Sequence, residues 1–193
     1  MTALRYLVFA SHNSNKTEEI RKILGSGFVL LDLHDLGFSE DIPEPFDTLE
    51  DNALAKARYV YNKYGEDCFA DDTGLEVEAL NGRPGVQSAR YAGPEKDSTA
   101  NMAKLLDKLS GEKNRKARFR TVIALIIEGE EHLFEGIVNG TIADKPIGDG
   151  GFGYDPIFIP EGYSHTFGVL DANIKNRISH RFAAIKKLAG FLK

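Results

Sequence analysis

The chain has 193 residues, and its 24 Lys and Arg against 29 Asp and Glu give a formal net charge of −5. Its 42% hydrophobic and 27% charged residues are typical of a globular protein rather than of a disordered chain. The net negative charge argues against a nucleic-acid binder, which needs a basic face for phosphate contacts. The single cysteine, Cys68, excludes an internal disulfide and argues against a zinc finger.

No stretch reaches the roughly 20 consecutive apolar residues that a membrane-spanning helix needs. The apolar run that follows Met1 is also too short for the core of a signal peptide. No repeat or linker divides the chain. We therefore expect a cytoplasmic protein whose residues 1–193 form a single domain of two lobes.

The first third of the chain predicts a strand, a helix and a second strand, which is a βαβ-like opening. The strand covers residues 4–10 and is apolar almost throughout, as in a strand covered on both faces. The helix ends at Gly25, and Asn15 with Glu18 resembles a capping box at its start. The second strand covers residues 28–31.

An exposed loop is predicted over residues 35–47, which contain Gly, two Pro and several acids. Thr48 then caps a helix that Gly65 ends, with its apolar residues at helical spacing. A short buried strand over residues 68–70 follows and is predicted to end at Asp71.

The second half predicts a helix over residues 97–109 and two long β-rich runs around residues 128–131, which form a hairpin. A last helix begins near Ser179 and turns Phe182, Ile185, Leu188 and Ala189 inward. These elements together predict a mixed α/β fold around a sheet with at least one long antiparallel pair of strands.

Four groups of residues could carry chemistry, and the first lies between the first strand and helix: Ser11, His12, Asn13, Ser14, Asn15 and Lys16. Backbone N–H groups at a helix start carry partial positive charge, to which Lys16 adds a full charge. This pattern indicates a phosphate-binding loop. The alternative is a capped turn with a solvated lysine.

The second group is Asp71-Asp72-Thr73-Gly74, directly after a buried strand. Ligands collect at the carboxyl ends of strands in α/β sheets, and a divalent cation would relieve the repulsion between neighbouring carboxylates. Glu40, Asp41 or Glu44 of the acidic loop could supply another carboxylate. An Asp-rich turn is the alternative.

The third group is the glycine-rich stretch over residues 148–153 with Phe152, Tyr154 and Asp155. It matches the spacing of a dinucleotide-binding loop but opens no helix, because Pro156 follows almost at once. A nucleobase could stack on the two aromatic rings. The alternative is an aromatic turn packed on the core.

The fourth group places Lys175, His180 and Arg181 around the start of the last helix, with Ser179 as its N-cap. Cations there oppose the helix dipole, which favours an anionic or carbonyl-bearing partner. A surface helix with no ligand is the alternative. Together the four groups describe a nucleoside triphosphate site.

The ordered motifs resemble the inosine triphosphate pyrophosphatase family over nearly the whole chain. They are Ser11-x-Asn13-x-x-Lys16, Asp51-Asn52-Ala53-x-x-Lys56-Ala57, Ala70-Asp71-Asp72-Thr73-Gly74-Leu75, Ser88-Ala89-Arg90-Tyr91, Gly151-Phe152-Gly153-Tyr154-Asp155-Pro156 and Ser179-His180-Arg181. The resemblance implies an α/β fold with a long mixed β-sheet flanked by helices, two lobes with a nucleotide-binding cleft between them, and a homodimer. It also implies Mg²⁺-dependent hydrolysis of ITP, dITP and XTP to the monophosphate and pyrophosphate.

The resemblance further implies residue roles. Asp72 is the general base, a metal ligand or both, and Glu44 is the second metal ligand, with Glu40 as the alternative. The substrate-binding residues are Ser11, His12, Asn13, Ser14, Asn15, Lys16, Thr73, Phe152, Gly153, Tyr154, Asp155, Lys175, His180 and Arg181. A further phosphate contact is expected from Lys56, unless it is a surface lysine.

Base selectivity has a chemical basis, because deaminated purines carry a C6 carbonyl where adenine carries an amino group. Donation from Arg181 or Lys175 to that position would disfavour adenine. Two other functions fit the same residues. One is a Maf-like pyrophosphatase acting on pyrimidine or modified nucleotides, and the other is a non-enzymatic nucleotide sensor.

Overall fold

The computed structural model describes residues 5–193, so Leu4, at the start of the predicted first strand, lies outside the described residues. The strands and helices are β1 (Arg5–Phe9), α1 (Ser14–Leu24), β2 (Phe28–Asp32), α2 (Leu49–Tyr64), β3 (Cys68–Val77), β4 (Pro84–Gly85), α3 (Ser98–Lys108), β5 (Lys116–Ile127), β6 (Glu130–Ile142), β7 (Phe158–Pro160), α4 (Ala172–Ile178) and α5 (His180–Phe191). Within residues 5–193, no helix has the length and apolar character needed to cross a membrane.

The described strands form a mixed sheet in the order β2-β1-β3-β5-β6-β7, and β4 pairs with β3. The β1 strand runs parallel to both β2 and β3, whereas β7 runs antiparallel to β6. The predicted α/β fold with a mixed sheet is therefore confirmed.

The chain divides into two compact units. Unit 1 contains the described residues up to Asp72 together with Thr121–Gly136 and Arg181–Lys193, and unit 2 contains Thr73–Arg120 and Ile137–His180. Strands β3, β5 and β6 each contribute residues to both units. Each unit has its own apolar cluster, with Phe9 stacked on Phe69 in unit 1 and Phe119 against Phe158 in unit 2.

The predicted βαβ opening is confirmed, but the predicted cap of α1 is wrong by two residues. Asn13, not Asn15, precedes the helix, and its Oδ1 accepts a hydrogen bond from the backbone N–H of Lys16 at 3.2 Å. Asn15 and Glu18 have the residues of a capping box, but Asn15 lies within the helix, and Asn13 has the extended backbone of an N-cap. Gly25 ends the helix as predicted, with φ +69°.

Helix α2 begins and ends where the sequence predicts. The Thr48 hydroxyl accepts from the N–H of Asp51, and Gly65 closes the helix in the left-handed region at φ +71°. The buried face contains Ala53, Ala57 and Val60 as expected. In contrast to Ala53 and Val60, the predicted core residue Tyr64 is exposed.

The predicted end of the third strand at Asp71 is wrong, because β3 continues to Val77. Gly74 makes this possible, since a Cβ there would lie 2.6 Å from the carbonyl oxygen of Gly85 on the paired strand β4. Asp71 and Asp72 thus lie in the middle of a strand rather than in a turn.

The predicted hairpin is confirmed and is tighter than expected. Strands β5 and β6 are joined by Glu128 and Gly129 alone, at φ +51° and +82°, the two positive values of a type I′ turn. The last helix is also confirmed, because α5 begins at His180 and buries Ile185 and Leu188. The separate short helix α4, which ends just before Ser179, was not predicted.

Candidate active site

Alternation along β3 separates the two neighbouring aspartates. Successive side chains of a strand point to opposite faces, so Asp71 and Asp72 contact different partners. Asp71 lies 2.8 Å from the Lys16 ammonium and 3.6 Å from Nε of Arg181. Asp72 instead lies 3.7 Å from Lys56. The two carboxylates nevertheless repel one another, because the charge of Asp71 is among the causes that raise the pKa of Asp72.

The pKa values of the two aspartates are shifted in opposite directions. Burial acts to raise the pKa of Asp71, but Lys16 and Arg181 outweigh it and hold this pKa well below its ordinary value. Burial also raises the pKa of Asp72, and there Lys56 offsets only part of the effect. Asp71 is consequently the structural anion, and Asp72 is the more basic carboxylate.

Lys56 links Asp72 to Glu44, because its ammonium group also forms an ion pair with the Glu44 carboxylate. Burial acts to lower the pKa of Lys56, but these two carboxylates raise it above its ordinary value. Asn52, one turn earlier on the same buried face of α2, bonds both backbone groups of Phe46 and so holds the loop that carries Glu44. Glu44 and Asp72 are thereby brought to one ammonium group.

The carboxylates of Glu44 and Asp72 fit the donor preference of Mg²⁺. This ion is usually held by one or two carboxylates with substrate phosphates, rather than by a cage of protein ligands. Within residues 5–193 no cluster of three or more His, Cys, Asp or Glu side chains could hold a metal by itself. Glu44 and Asp72, which share Lys56, match the arrangement of one or two carboxylates with substrate phosphates.

The 11–16 loop is ordered by its own side chains. The Ser11 hydroxyl accepts from the N–H of Asn13 at 3.1 Å, and Asn13 in turn caps α1. Lys16, partly buried, points to Asp71 rather than to Asp72. The His12 ring donates from Nε2 to the carbonyl of Glu40 at 3.0 Å, which fixes its tautomer. Phosphate binding by this loop stays a prediction.

Arg181 lies in the core of unit 1 with 1% of its surface exposed. It forms an ion pair with Glu19 of α1 in addition to its approach to Asp71. No local pattern points to Glu19, because an acid on the second turn of a helix is usually solvated. The predicted donation from Arg181 to a base stays untested, while its structural role is evident from burial.

Unit 2 brings together three of the predicted base-site residues. Lys175 donates to Oδ2 of Asp155 at 2.7 Å, and the same oxygen accepts from the backbone N–H of Phe152. The Lys175 ammonium also lies 4.8 Å from the centroid of the Phe152 ring. Gly151 is required beside them, because a Cβ there would lie 2.1 Å from Asp155 Oδ2.

The other predicted residues of unit 2 are spread over several elements. His180 is buried and stacks on Phe119 with ring centroids 4.7 Å apart. Thr73, half-buried, follows Asp72 on β3, and Gly153 has φ +62°. Contact of these residues with a substrate stays a prediction.

Tyr154 is a core residue of unit 2. Its side chain is buried, and its hydroxyl donates to the carbonyl of Ser88 at 2.8 Å. The Ser88 hydroxyl in turn accepts from the N–H of Leu75 and donates to the carbonyl of Gly85, so it ties together the loops around β4. None of these three hydrogen bonds was predicted, because a serine in a loop carries no sequence signal for its partners.

Tyr154→Phe is expected to lower the free energy of unfolding by about 1 kcal/mol, the usual net value of one hydrogen bond. The Ser88 carbonyl loses its donor, whereas the ring keeps its packing. Urea denaturation measures the change, and ITP hydrolysis measured in parallel tests the predicted substrate contact. A rise of more than about ten-fold in KM with unchanged stability would support that contact instead.

Comparison with known proteins defines the family. The model of the Ham1 family matches residues 7–191. The chain belongs to the Ham1 family. It is 54% identical over 186 residues to a Flavobacterium johnsoniae protein named dITP/XTP pyrophosphatase, covering 96% of this chain and 97% of that protein. A Bacillus subtilis protein of the same name is 44% identical over 196 residues, covering 100% and 99%.

Solved structures of Ham1 proteins share the fold of this Ham1 chain. The Staphylococcus aureus Ham1 protein matches with a TM-score of 0.88 at 40% identity, covering 97% of this chain and 98% of that one. A HAM1 protein from Coxiella burnetii matches with a TM-score of 0.89 at 36% identity, covering 98% of each chain. The similarity therefore extends over both units of the Ham1 fold described above.

Proposed function

We propose that this protein is a nucleoside triphosphate pyrophosphohydrolase that hydrolyses ITP, dITP and XTP to the nucleoside monophosphate and pyrophosphate. The observation that carries the proposal is its similarity, over nearly the full length of both chains, to enzymes named dITP/XTP pyrophosphatase. Removal of deaminated purine nucleotides from the precursor pool follows from that reaction.

The cationic groups of unit 1 suit the triphosphate tail. Helix α1 begins at Ser14 and presents its first backbone N–H groups, which attract anions. We assign phosphate contacts to residues 11–16 and to Lys56. Lys16, partly buried near the start of α1, adds positive charge beside these N–H groups, which supports the assignment for residues 11–16.

Glu44 and Asp72 are proposed to hold Mg²⁺. When bound, this ion neutralises charge on the phosphate oxygens and lowers the pKa of bound water. Asp72 is proposed to orient the attacking water and accept its proton at a carboxylate oxygen. Its raised pKa supports this role, because a more basic carboxylate accepts a proton more readily.

The base and sugar are assigned to residues of unit 2 and to Arg181. The proposed contacts come from Thr73, Phe152, Gly153, Tyr154, Asp155, Lys175, His180 and Arg181. Phe152 is half-buried and lies under the Lys175 ammonium, which supports a stacking role for its ring. The Lys175–Asp155 pair offers both a donor and an acceptor, as discrimination between a C6 carbonyl and an amino group requires. A homodimer and a cytoplasmic location are part of the same proposal.

A nucleotide panel with pyrophosphate detection tests the function. We expect turnover of ITP, dITP and XTP with Mg²⁺, loss of turnover after chelation, and at least about 100-fold lower kcat/KM for ATP. Preference for pyrimidine or methylated nucleotides would favour the Maf-like alternative. Binding of ITP without pyrophosphate release would favour a sensor.

A further inference from the structure

The acidic loop lies along helix α2 and contacts it at several points. In the middle of the helix, Glu44 pairs with Lys56, and further along, Glu40 contacts Tyr59 and Lys63. The three helix residues are spaced i, i+3 and i+7 and therefore share one face of α2. Because the later loop residue contacts the earlier helix residue, the loop runs antiparallel to the helix.

Glu40 is held by three separate hydrogen bonds. Its Oε2 accepts from the Tyr59 hydroxyl at 2.8 Å, and its Oε1 accepts from Lys63 at 3.3 Å. Its backbone carbonyl accepts from the His12 ring of the 11–16 loop. The bonds from Tyr59 and Lys63 lower the pKa of Glu40. The carboxylate is thus paired with two side chains of α2.

Phe38, in the turn that precedes Glu40, also packs against α2. Its ring is 4% exposed and lies 4.4 Å from the Lys63 ammonium. Tyr59 and Tyr64 approach the same ring edge-on, with centroids 5.9 and 6.4 Å away. The segment before Glu40 is therefore packed on the same stretch of α2.

The chain between Glu40 and Glu44 is stiff, so a displacement at one end reaches the other. Pro43 has its φ angle restricted by its ring, and Pro45 restricts Glu44 to extended conformations. With few rotatable backbone angles between them, the position of Glu44 depends on where Glu40 is held.

We infer that Glu40 is a positioning residue, whose contacts with Tyr59 and Lys63 fix residues 40–44 along α2 so that Glu44 meets Asp72 at Lys56. This replaces the reading of Glu40 as an alternative metal ligand. The inference rests on the proposed function only for the role of Glu44 toward Mg²⁺. The geometry of the loop can be tested without it.

Hydrogen exchange of the ligand-free protein tests the anchor directly. Tyr59→Phe and Glu40→Ala should each speed the exchange of amides in residues 38–46 by roughly three- to ten-fold, the effect of losing one hydrogen bond. Tyr64→Phe is the matched control, since the Tyr64 hydroxyl makes no hydrogen bond among the described residues. Exchange equal to wild type in both anchor variants would overturn the inference.

The Mg²⁺ dependence of ITP hydrolysis provides the functional readout. Tyr59→Phe should raise the Mg²⁺ concentration for half-maximal rate roughly three- to ten-fold, with kcat at saturating Mg²⁺ within about two-fold of wild type. Glu40→Gln, which keeps an acceptor for Tyr59, should give a smaller rise than Glu40→Ala. If Glu40 and Tyr59 only stabilised the fold, the variants would lower stability without raising the Mg²⁺ concentration for half-maximal rate relative to kcat.

A double-mutant cycle separates anchoring from direct metal binding. If Glu40 acts through Tyr59, the Glu40→Ala/Tyr59→Phe double variant should need no higher Mg²⁺ concentration for half-maximal rate than the more impaired single variant does. If the effects of the two substitutions on Mg²⁺ dependence add, and Glu40→Ala has a far larger effect than Tyr59→Phe, Glu40 is a metal ligand and the inference is overturned. If wild-type protein does not release pyrophosphate, the proposed function fails, and hydrogen exchange still decides the anchor.

Discussion

Replacing Asp72 with Asn is expected to reduce kcat/KM for ITP by at least about 10³-fold while leaving the midpoint of thermal unfolding within about 3 °C of wild type. In the proposed mechanism, the amide could not accept the proton of the attacking water, and it would be a poorer Mg²⁺ ligand than the carboxylate beside Glu44. Stability is preserved because burial already disfavours the charged form of Asp72, as its raised pKa shows. Lys56 also keeps its ion pair with Glu44.

Asp71→Asn is the matched control, one residue away on the same strand. The pKa of Asp71 is lowered in the folded state, so its charge stabilises the fold, and the amide should lower the unfolding midpoint clearly more than Asp72→Asn does. Pyrophosphate release and differential scanning fluorimetry measure both variants. Activity of Asp72→Asn within a few-fold of wild type would remove Asp72 from the mechanism.

Replacing Arg181 with Met is expected to destabilise the protein by about 3–5 kcal/mol, the usual cost of breaking a buried ion pair. The guanidinium group pairs with Glu19 and lies 3.6 Å from Asp71, which is itself 1% exposed. Its removal leaves this buried negative charge without one of the cations that compensate it. Arg181→Lys keeps the charge but not the planar group, and we expect a smaller loss.

The destabilisation should depend on pH in a defined direction. Because Lys16 and Arg181 lower the pKa of Asp71 in the folded state, Asp71 contributes stability above its unfolded pKa of about 4 and loses it as pH falls. The difference in free energy of unfolding between wild type and Arg181→Met should thus be largest near neutral pH and shrink below about pH 4. Urea denaturation across that range measures it.

The opposite outcome for Arg181 is also defined. A loss of less than about 1 kcal/mol, together with a narrowed preference for ITP over ATP, would make base recognition its main role rather than support of Asp71. Equal losses of ITP and ATP turnover that track the unfolded fraction would leave only the structural role.

Local signals predicted the secondary structure well where the cause is itself local. Thr48 and Gly65 mark the ends of α2 because a hydroxyl cap and a left-handed glycine act within one turn. The turn at Glu128 and Gly129 was located by the β-rich runs on either side. At the start of α1, the capping-box pattern of Asn15 and Glu18 indicated the wrong residue, and the backbone conformation selected Asn13.

The site residues divide in the same way. From the sequence alone came the α/β class, the order of motifs and the family they resemble, since these depend on residue types and spacing along the chain. The tertiary structure decided which charges meet. It extended β3 through Asp71 and Asp72, so that alternation sends them to Lys16 and Lys56, and it brought Glu19 to Arg181, 162 residues away. Pairings of this kind depend on chain packing, which no local pattern encodes.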